Sequence, residues 1–143
     1  MAASATCSVK PRQRGVRVFH AMRCQLPAVA ATGRAIVNLA SIAAHSGLQG
    51  QAAYQGVLAL TRTTARECAG HGIRVVSISP GIVDTPMVTS LPSGATDGFL
   101  TAVAARRTAQ SAEVAALIAF LVSNDASYMT DSDHVVDGGY LAK

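Results

Sequence analysis

One pattern limits the fold of this chain more than any other: two short apolar segments are separated by a segment of helical length. Residues Ala35–Ala40 form a nearly continuous apolar run, and residues Ile73–Ser79 form a second one. Runs of this kind are typical of parallel strands that are buried on both faces. Residues Gln51–Ala69 between them carry apolar side chains at helical spacing, and Gly70 and Gly72 provide a helix stop. The pattern therefore predicts a β-α-β unit.

Further helices and a strand are predicted on both sides of this unit. A helix is expected from Val16 onward with Pro27 as its stop, and a strongly apolar helix at Ala112–Val122 with Ser111 as its N-cap. His134–Val136 reads as a short last strand. Alternating strands and helices predict an α/β protein of one domain.

The first residues allow two interpretations. Residues 1–15 show no pattern and are treated as a leader of unknown structure. The first 34 residues contain six lysines and arginines and no acid, as a mitochondrial transit peptide does. We favour the helix from Val16, because Val18, Phe19 and Met22 recur at helical spacing.

Composition excludes several classes of protein. Half of the residues are hydrophobic and 14% are charged, which supplies a core and argues against global disorder. The net charge is +4, but the arginines are scattered and no aromatic residues lie among them, so no nucleic-acid partner is expected. The 27 uncharged residues between Arg34 and Arg62 include polar residues and glycines, which excludes a membrane span. Three widely spaced cysteines predict neither disulfides nor a metal site, and favour a cytoplasmic location.

A serine and a tyrosine lie on either side of the loop that is predicted after the first strand. Ser41 follows the strand directly and Tyr54 lies at the start of the next helix, so both can converge on one substrate oxygen. A free phenol titrates near ~10, and proton exchange near neutral pH needs a group that lowers this pKa. A cation at position i+4 would do so. That position holds Leu58. Arg62 is eight residues beyond Tyr54, which places it roughly 12 Å from the tyrosine along the helix axis.

Four motifs in this order resemble the short-chain dehydrogenase/reductase family. They are A-I-V-N-L-A-S ending at Ser41, the Ser41-to-Tyr54 spacing, S-P-G-I-V-D-T-P at 79–86 and V-D-G-G at 136–139. The resemblance implies a partial Rossmann-like three-layer α/β/α sandwich with a mostly parallel sheet of about three strands. Residues 16–143 would form the C-terminal half of such a domain, truncated so that its N-terminal, dinucleotide-binding half is missing.

The resemblance also implies roles for individual residues. In the family, the serine hydrogen-bonds the reacting oxygen, the tyrosine is the general acid/base, and the cofactor is NAD or NADP. The catalytic residues would be Ser41 and Tyr54. The loop that holds the nicotinamide would be Pro80, Gly81, Ile82, Val83 and Thr85. The substrate would be a small alcohol or carbonyl compound, and the subunits would form homo-oligomers or hetero-oligomers with other subunits of the family.

The chain departs from the family pattern at several positions. The segment after Tyr54 reads as the family's Y-x-x-x-K motif with a short deletion that removes the lysine, and no glycine-rich phosphate-binding motif follows a strand. Asp131 stands where the family has glycine, which predicts a strained turn. A lone loop histidine such as His45 is typically solvated or packed.

Two functions follow from these departures. The first is an NAD(P)-dependent oxidoreductase by family, with this chain expected to be inactive alone. The alternative is a non-catalytic module that pairs with full-length family members through the helix before the Ser41 strand and the helix of Tyr54.

Overall fold

The computed structural model describes residues 12–31 and 34–142. The helices are α1 (Arg12–Ala30), α2 (Ala52–Cys68), α3 (Pro86–Thr89), α4 (Asp97–Leu100) and α5 (Ser111–Val122). The strands are β1 (Ala35–Leu39), β2 (Arg74–Pro80), β3 (Val83–Asp84), β4 (Ala109–Gln110) and β5 (Asp133–Val136). Within these ranges, no helix combines the length and the apolar character that crossing a bilayer requires.

The main sheet has three parallel strands in the order β1-β2-β5. Ala35 pairs with Arg74 at one side of β2, and Ser77 pairs with Asp133 at the other. The predicted α/β fold with a parallel sheet of about three strands is confirmed. A separate short parallel pair joins β3 to β4.

Helices cover both faces of the sheet, because successive side chains of β2 point to opposite sides. Val75 is fully buried in a cluster with Met22 of α1 and Ala65 of α2. Its neighbour Val76 is fully buried on the other face, in a cluster with Leu121 of α5. The arrangement is therefore a three-layer α/β/α sandwich.

The first helix differs from its prediction at both ends. It begins at Arg12, four residues before Val16, and it continues through Pro27 to Ala30. Pro27 lies in the last turn, so its missing N–H removes only the bond to the carbonyl of Arg23, which is an exposed residue. Pro27 as a stop was therefore wrong. The predicted leader lies outside the described residues up to position 11.

The start of α5 also differs from its prediction. Gln110, and not Ser111, is the N-cap, because the Glu113 carboxylate reaches back to accept the backbone N–H of Gln110 at 2.7 Å. The Ser111 hydroxyl instead donates to the carbonyl of Asp84 at 3.3 Å. Glu113 also pairs with Arg107 at 2.7 Å, and hydrogen bonds from Arg107 and Gln110 lower the pKa of Glu113 to about 2.

Three residues near the carboxyl end have left-handed backbone. Asp131 has φ 55°, which confirms the expected strained turn, and Arg66 Nε donates to its carboxylate at 2.9 Å. Gly138 and Gly139 have φ values of 63° and 84°. A Cβ on Gly138 would lie 2.9 Å from Cγ1 of Val103, so the segment after α4 rests directly on this turn.

Candidate active site

A cavity of about 410 Å³ opens where β1 and β2 end. Every residue that the sequence predicted for catalysis or cofactor binding lines it. These residues are Ser41, Tyr54, Pro80, Gly81, Ile82, Val83 and Thr85. They meet because the carboxyl ends of adjacent parallel strands share one edge of the sheet, which is where open α/β sheets bind ligands.

Ser41 is held by the turn that it begins. It is the N-cap of a short 3-10 turn, Ile42–Ala44, and its Oγ accepts the backbone N–H of Ala43 at 3.2 Å. This bond uses a lone pair of the hydroxyl oxygen and leaves its proton for donation. Ser41 can therefore donate a hydrogen bond to a substrate oxygen in the cavity.

Tyr54 lies in the first turn of α2 and packs against the cluster of Ala40, Ala44, Val57 and Leu58. Leu58, at the position where the family has lysine, is only 8% exposed and is part of the same cluster. No charged side chain of the described residues lines the cavity. The helix face that would carry the cation is therefore apolar.

The loop after β2 is fixed to the C-terminal turn. The N–H of Gly81 donates to the carbonyl of Val136 at 2.9 Å. A Cβ on Gly81 would lie 3.0 Å from Cα of Asp137, so this close approach favours glycine. The Thr85 hydroxyl donates to the carbonyl of Val83 at 3.2 Å and so offers only acceptor lone pairs to the cavity.

The sequence did not identify the outer wall of the cavity. Two helices form this wall: α3 contributes Met87 and Val88, and α5 contributes Val114, Ala115 and Ile118. The apolar composition of α5 was visible in the sequence, but spacing alone did not show which of its residues face the cavity.

His45 is an exposed residue, as expected of a loop histidine, but its side chain also makes hydrogen bonds that the sequence did not predict. Its Nε2 lies 2.7 Å from Oδ2 of Asp133 and 3.3 Å from Oγ of Ser79, and Ser77 donates to the other carboxylate oxygen at 2.6 Å. Asp133 is the first residue of β5, one position before the last strand predicted from the sequence. Its partner is 88 positions away, and no sequence signal connects the two.

The cavity suits one part of a nicotinamide dinucleotide. Its apolar walls and the Thr85 acceptor match a flat ring with a carboxamide, and the backbone of Gly81 approaches without a side chain in the way. The phosphate groups require a glycine-rich turn between a strand and a helix, and the 143 residues contain none. The described residues therefore fit the nicotinamide end of the cofactor only.

Comparison with known proteins gives consistent matches. A family model described as enoyl-(acyl carrier protein) reductase matches residues 16–141. Cyclohexanol dehydrogenase of Acinetobacter sp. (strain SE19) is 41% identical over 131 residues, which cover 88% of this chain and 51% of that protein. The 3-oxoacyl-[acyl-carrier-protein] reductase FabG of Thermotoga maritima is 38% identical over 110 residues, covering 74% of this chain and 45% of the relative. The chain spans about half the length of the curated relatives it matches.

Solved structures agree in fold. A protein described as a 2-deoxy-d-gluconate 3-dehydrogenase from Agrobacterium tumefaciens, with bound NADP, superposes with a TM-score of 0.81 and 32% identity. The match covers 88% of this chain and 55% of that one. Levodione reductase gives a TM-score of 0.80 and 34% identity, covering 87% and 54%.

Proposed function

Because the chain belongs to the short-chain dehydrogenase/reductase family, we propose that it carries the substrate side of an NAD(P)-dependent site that interconverts an alcohol and a carbonyl compound. The observation that carries this proposal is the single cavity that brings Ser41, Tyr54 and the loop 80–85 together. The NADP bound to a structural relative supports the cofactor class.

In the proposed mechanism, Ser41 and Tyr54 share one substrate oxygen. The Ser41 hydroxyl donates a hydrogen bond to it, while Tyr54 gives it a proton in reduction or takes that proton in oxidation. Residues 80–83 and Thr85 would hold the nicotinamide end of the cofactor and would keep water from one face of the cavity. The chemistry that a nicotinamide would supply there is hydride transfer to or from the substrate carbon.

Leu58 is expected to slow proton exchange by Tyr54 at this site. The family's lysine would stabilise the tyrosinate from one helical turn away, and a leucine buried among Ala44 and Val57 cannot. The 143-residue polypeptide also lacks the phosphate-binding turn. We expect the polypeptide by itself to be inactive.

The lining of the cavity favours an uncharged substrate. No described charged side chain faces the cavity, and the walls are aliphatic apart from the hydroxyls of Ser41, Tyr54, Thr85 and Ser111. A carboxylate or phosphate would be buried there without a partner. A secondary alicyclic alcohol, as named for the cyclohexanol dehydrogenase relative, fits this lining.

A chimeric enzyme tests the proposal. Residues 16–141 are joined to the part of cyclohexanol dehydrogenase that lies outside the match, with four residues (Ala-Ser-Lys-Ala) inserted after Gln55 to restore Y-x-x-x-K. We expect oxidation of cyclohexanol with NAD or NADP, and a loss of at least about 100-fold on changing Tyr54→Phe, as is typical of a general acid/base. The matched chimera without the insertion should be slower by a similar factor. If the chimera folds and binds the cofactor, but Tyr54→Phe leaves its turnover unchanged, the proposal is refuted.

One observation favours a second function, a subunit-interaction module. A groove of about 380 Å³ runs between α1 and α2, and Phe19 at its rim is 44% exposed. Leu26 and Leu60 line it together with Arg23 and Glu67. We propose that this groove binds the corresponding helix pair of a full-length family member.

Light scattering during size-exclusion chromatography tests this second function. Phe19→Asp should abolish the complex with the full-length family member. The control Arg62→Asp, a change on α2 outside the groove, should leave the complex intact. A complex that survives Phe19→Asp would contradict it.

A further inference from the structure

A polar cluster links the 3-10 turn Ile42–Ala44, here called the Ser41 turn after its N-cap residue, to strands β2 and β5. It consists of His45 at the end of the turn, Ser77 and Ser79 on β2, and Asp133 on β5. The Asp133 side chain is 7% exposed and that of His45 is 30% exposed. A nearly buried carboxylate needs donors, and it receives two, from Ser77 and from His45.

The chemistry fixes which atom carries the proton. An ionised carboxylate only accepts hydrogen bonds, so Nε2 of His45 must donate to Asp133. A hydrogen bond to a charged acceptor is stronger than a neutral one. The contact at 2.7 Å is therefore a firm link between the turn and the sheet.

His45 closes the same turn that Ser41 opens. The N–H of His45 donates to the carbonyl of Ile42 at 3.0 Å, and the N–H of Ala44 donates to the carbonyl of Ser41 at 2.9 Å. Ser41 is thus held to the sheet at one end by β1 and at the other end through His45. Movement of the His45 side chain would release the far end of the turn that orients the Ser41 hydroxyl.

We propose that His45 is a positioning residue for Ser41, and that it acts through Asp133. The importance of Ser41 rests on the proposed function, but the link itself is a property of the structure. Asp133 lies just before the V-D-G-G turn, so the last strand of the sheet contributes to the geometry of the first catalytic residue. His45 touches the substrate in no step of this scheme.

The test measures the turn directly. Hydrogen exchange of the Ala43 amide, which donates to Oγ of Ser41, is followed by NMR with the fully buried Val76 as an internal reference. His45→Ala should speed exchange of the Ala43 amide by about tenfold or more while that of Val76 stays unchanged. His45→Gln keeps an N–H donor and should restore most of the protection.

Arg66→Ala is the matched control. It removes another side-chain bond to the β5 region, the 2.9 Å contact with Asp131, without touching the Ser41 turn. It should leave Ala43 exchange unchanged. In the active chimera, His45→Ala should lower kcat with little change in the KM for cofactor, and Arg66→Ala should not.

Two outcomes would overturn the proposal. One is unchanged Ala43 protection in folded His45→Ala. The other, should that variant not fold, is unchanged protection in Asp133→Asn, which keeps the side-chain volume and removes the charge. An inactive chimera would count against the proposed function alone, because the exchange measurement does not depend on turnover.

Discussion

Replacing Gly138 with alanine should destabilise the protein by about 2–5 kcal/mol. Two effects add. An alanine at φ 63° carries a left-handed backbone cost of roughly 1–2 kcal/mol. Its Cβ would also lie 2.9 Å from Cγ1 of Val103 and 3.1 Å from Cβ of Ala105, where ~3.5–4.0 Å is normal, and overpacking of this kind costs about 1–3 kcal/mol.

Gly56→Ala is the matched control for the same chemical change. Gly56 lies within α2, and a Cβ there would meet nothing within 4 Å. Alanine is favoured over glycine in a helix by about 1 kcal/mol, so this variant should be more stable than the wild type. Urea unfolding followed by circular dichroism measures both free energies. Equal effects of the two variants, or a Gly138→Ala loss below about 1 kcal/mol at an unchanged m-value, would refute the reasoning.

Three further predictions concern binding, core polarity and acid stability. Calorimetric titration of the 143-residue polypeptide with NADH or NADPH should give no dissociation constant as tight as about 1 μM, since the phosphate-binding turn is missing; a micromolar constant for either would contradict this. Thr61→Val should cost about 1–3 kcal/mol in urea unfolding, because buried Asn38 donates to the Thr61 hydroxyl at 2.9 Å and would lose that acceptor; an unchanged midpoint would argue against it. The lowered pKa of Glu113, about 2 against an ordinary 4.5, stabilises the fold above pH 4.5, and this contribution is lost as pH falls toward 2. The stability difference between wild type and Glu113→Gln should therefore be present near neutral pH and disappear at the acid end; a difference independent of pH would exclude this role for Glu113.

The strands and α2 could be predicted from sequence because their signals are local. Apolar runs predicted β1 and β2 to within one residue at each end, and helical spacing did the same for α2. The meeting of Ser41 with the loop 80–85 could also be predicted, since parallel strands end at the same edge of a sheet. Their chemical roles stay predictions.

Features that depend on distant or competing contacts could not be predicted. The link between His45 and Asp133 joins positions 88 apart. Pro27 looked like a stop because a sequence does not show how little a proline costs in a last turn. Ser111 looked like an N-cap because the return of the Glu113 side chain to Gln110 is a matter of geometry.

Among the residues that the structure describes, the main sheet contains no hairpin, and this affects how the protein folds. Every pairing in it joins distant segments: Ala35 with Arg74, and Ser77 with Asp133, which are 56 positions apart. Folding through non-local parallel pairing is slow, because the chain loses the entropy of closing a long loop before the stabilising contacts between the strands form. Until β5 arrives, β2 has one neighbour only, and its apolar residues Val76 and Ile78 remain open to other chains. Refolding should therefore be slow and concentration-sensitive, and yield in the cell should depend more on chaperone supply than on the final stability of the fold.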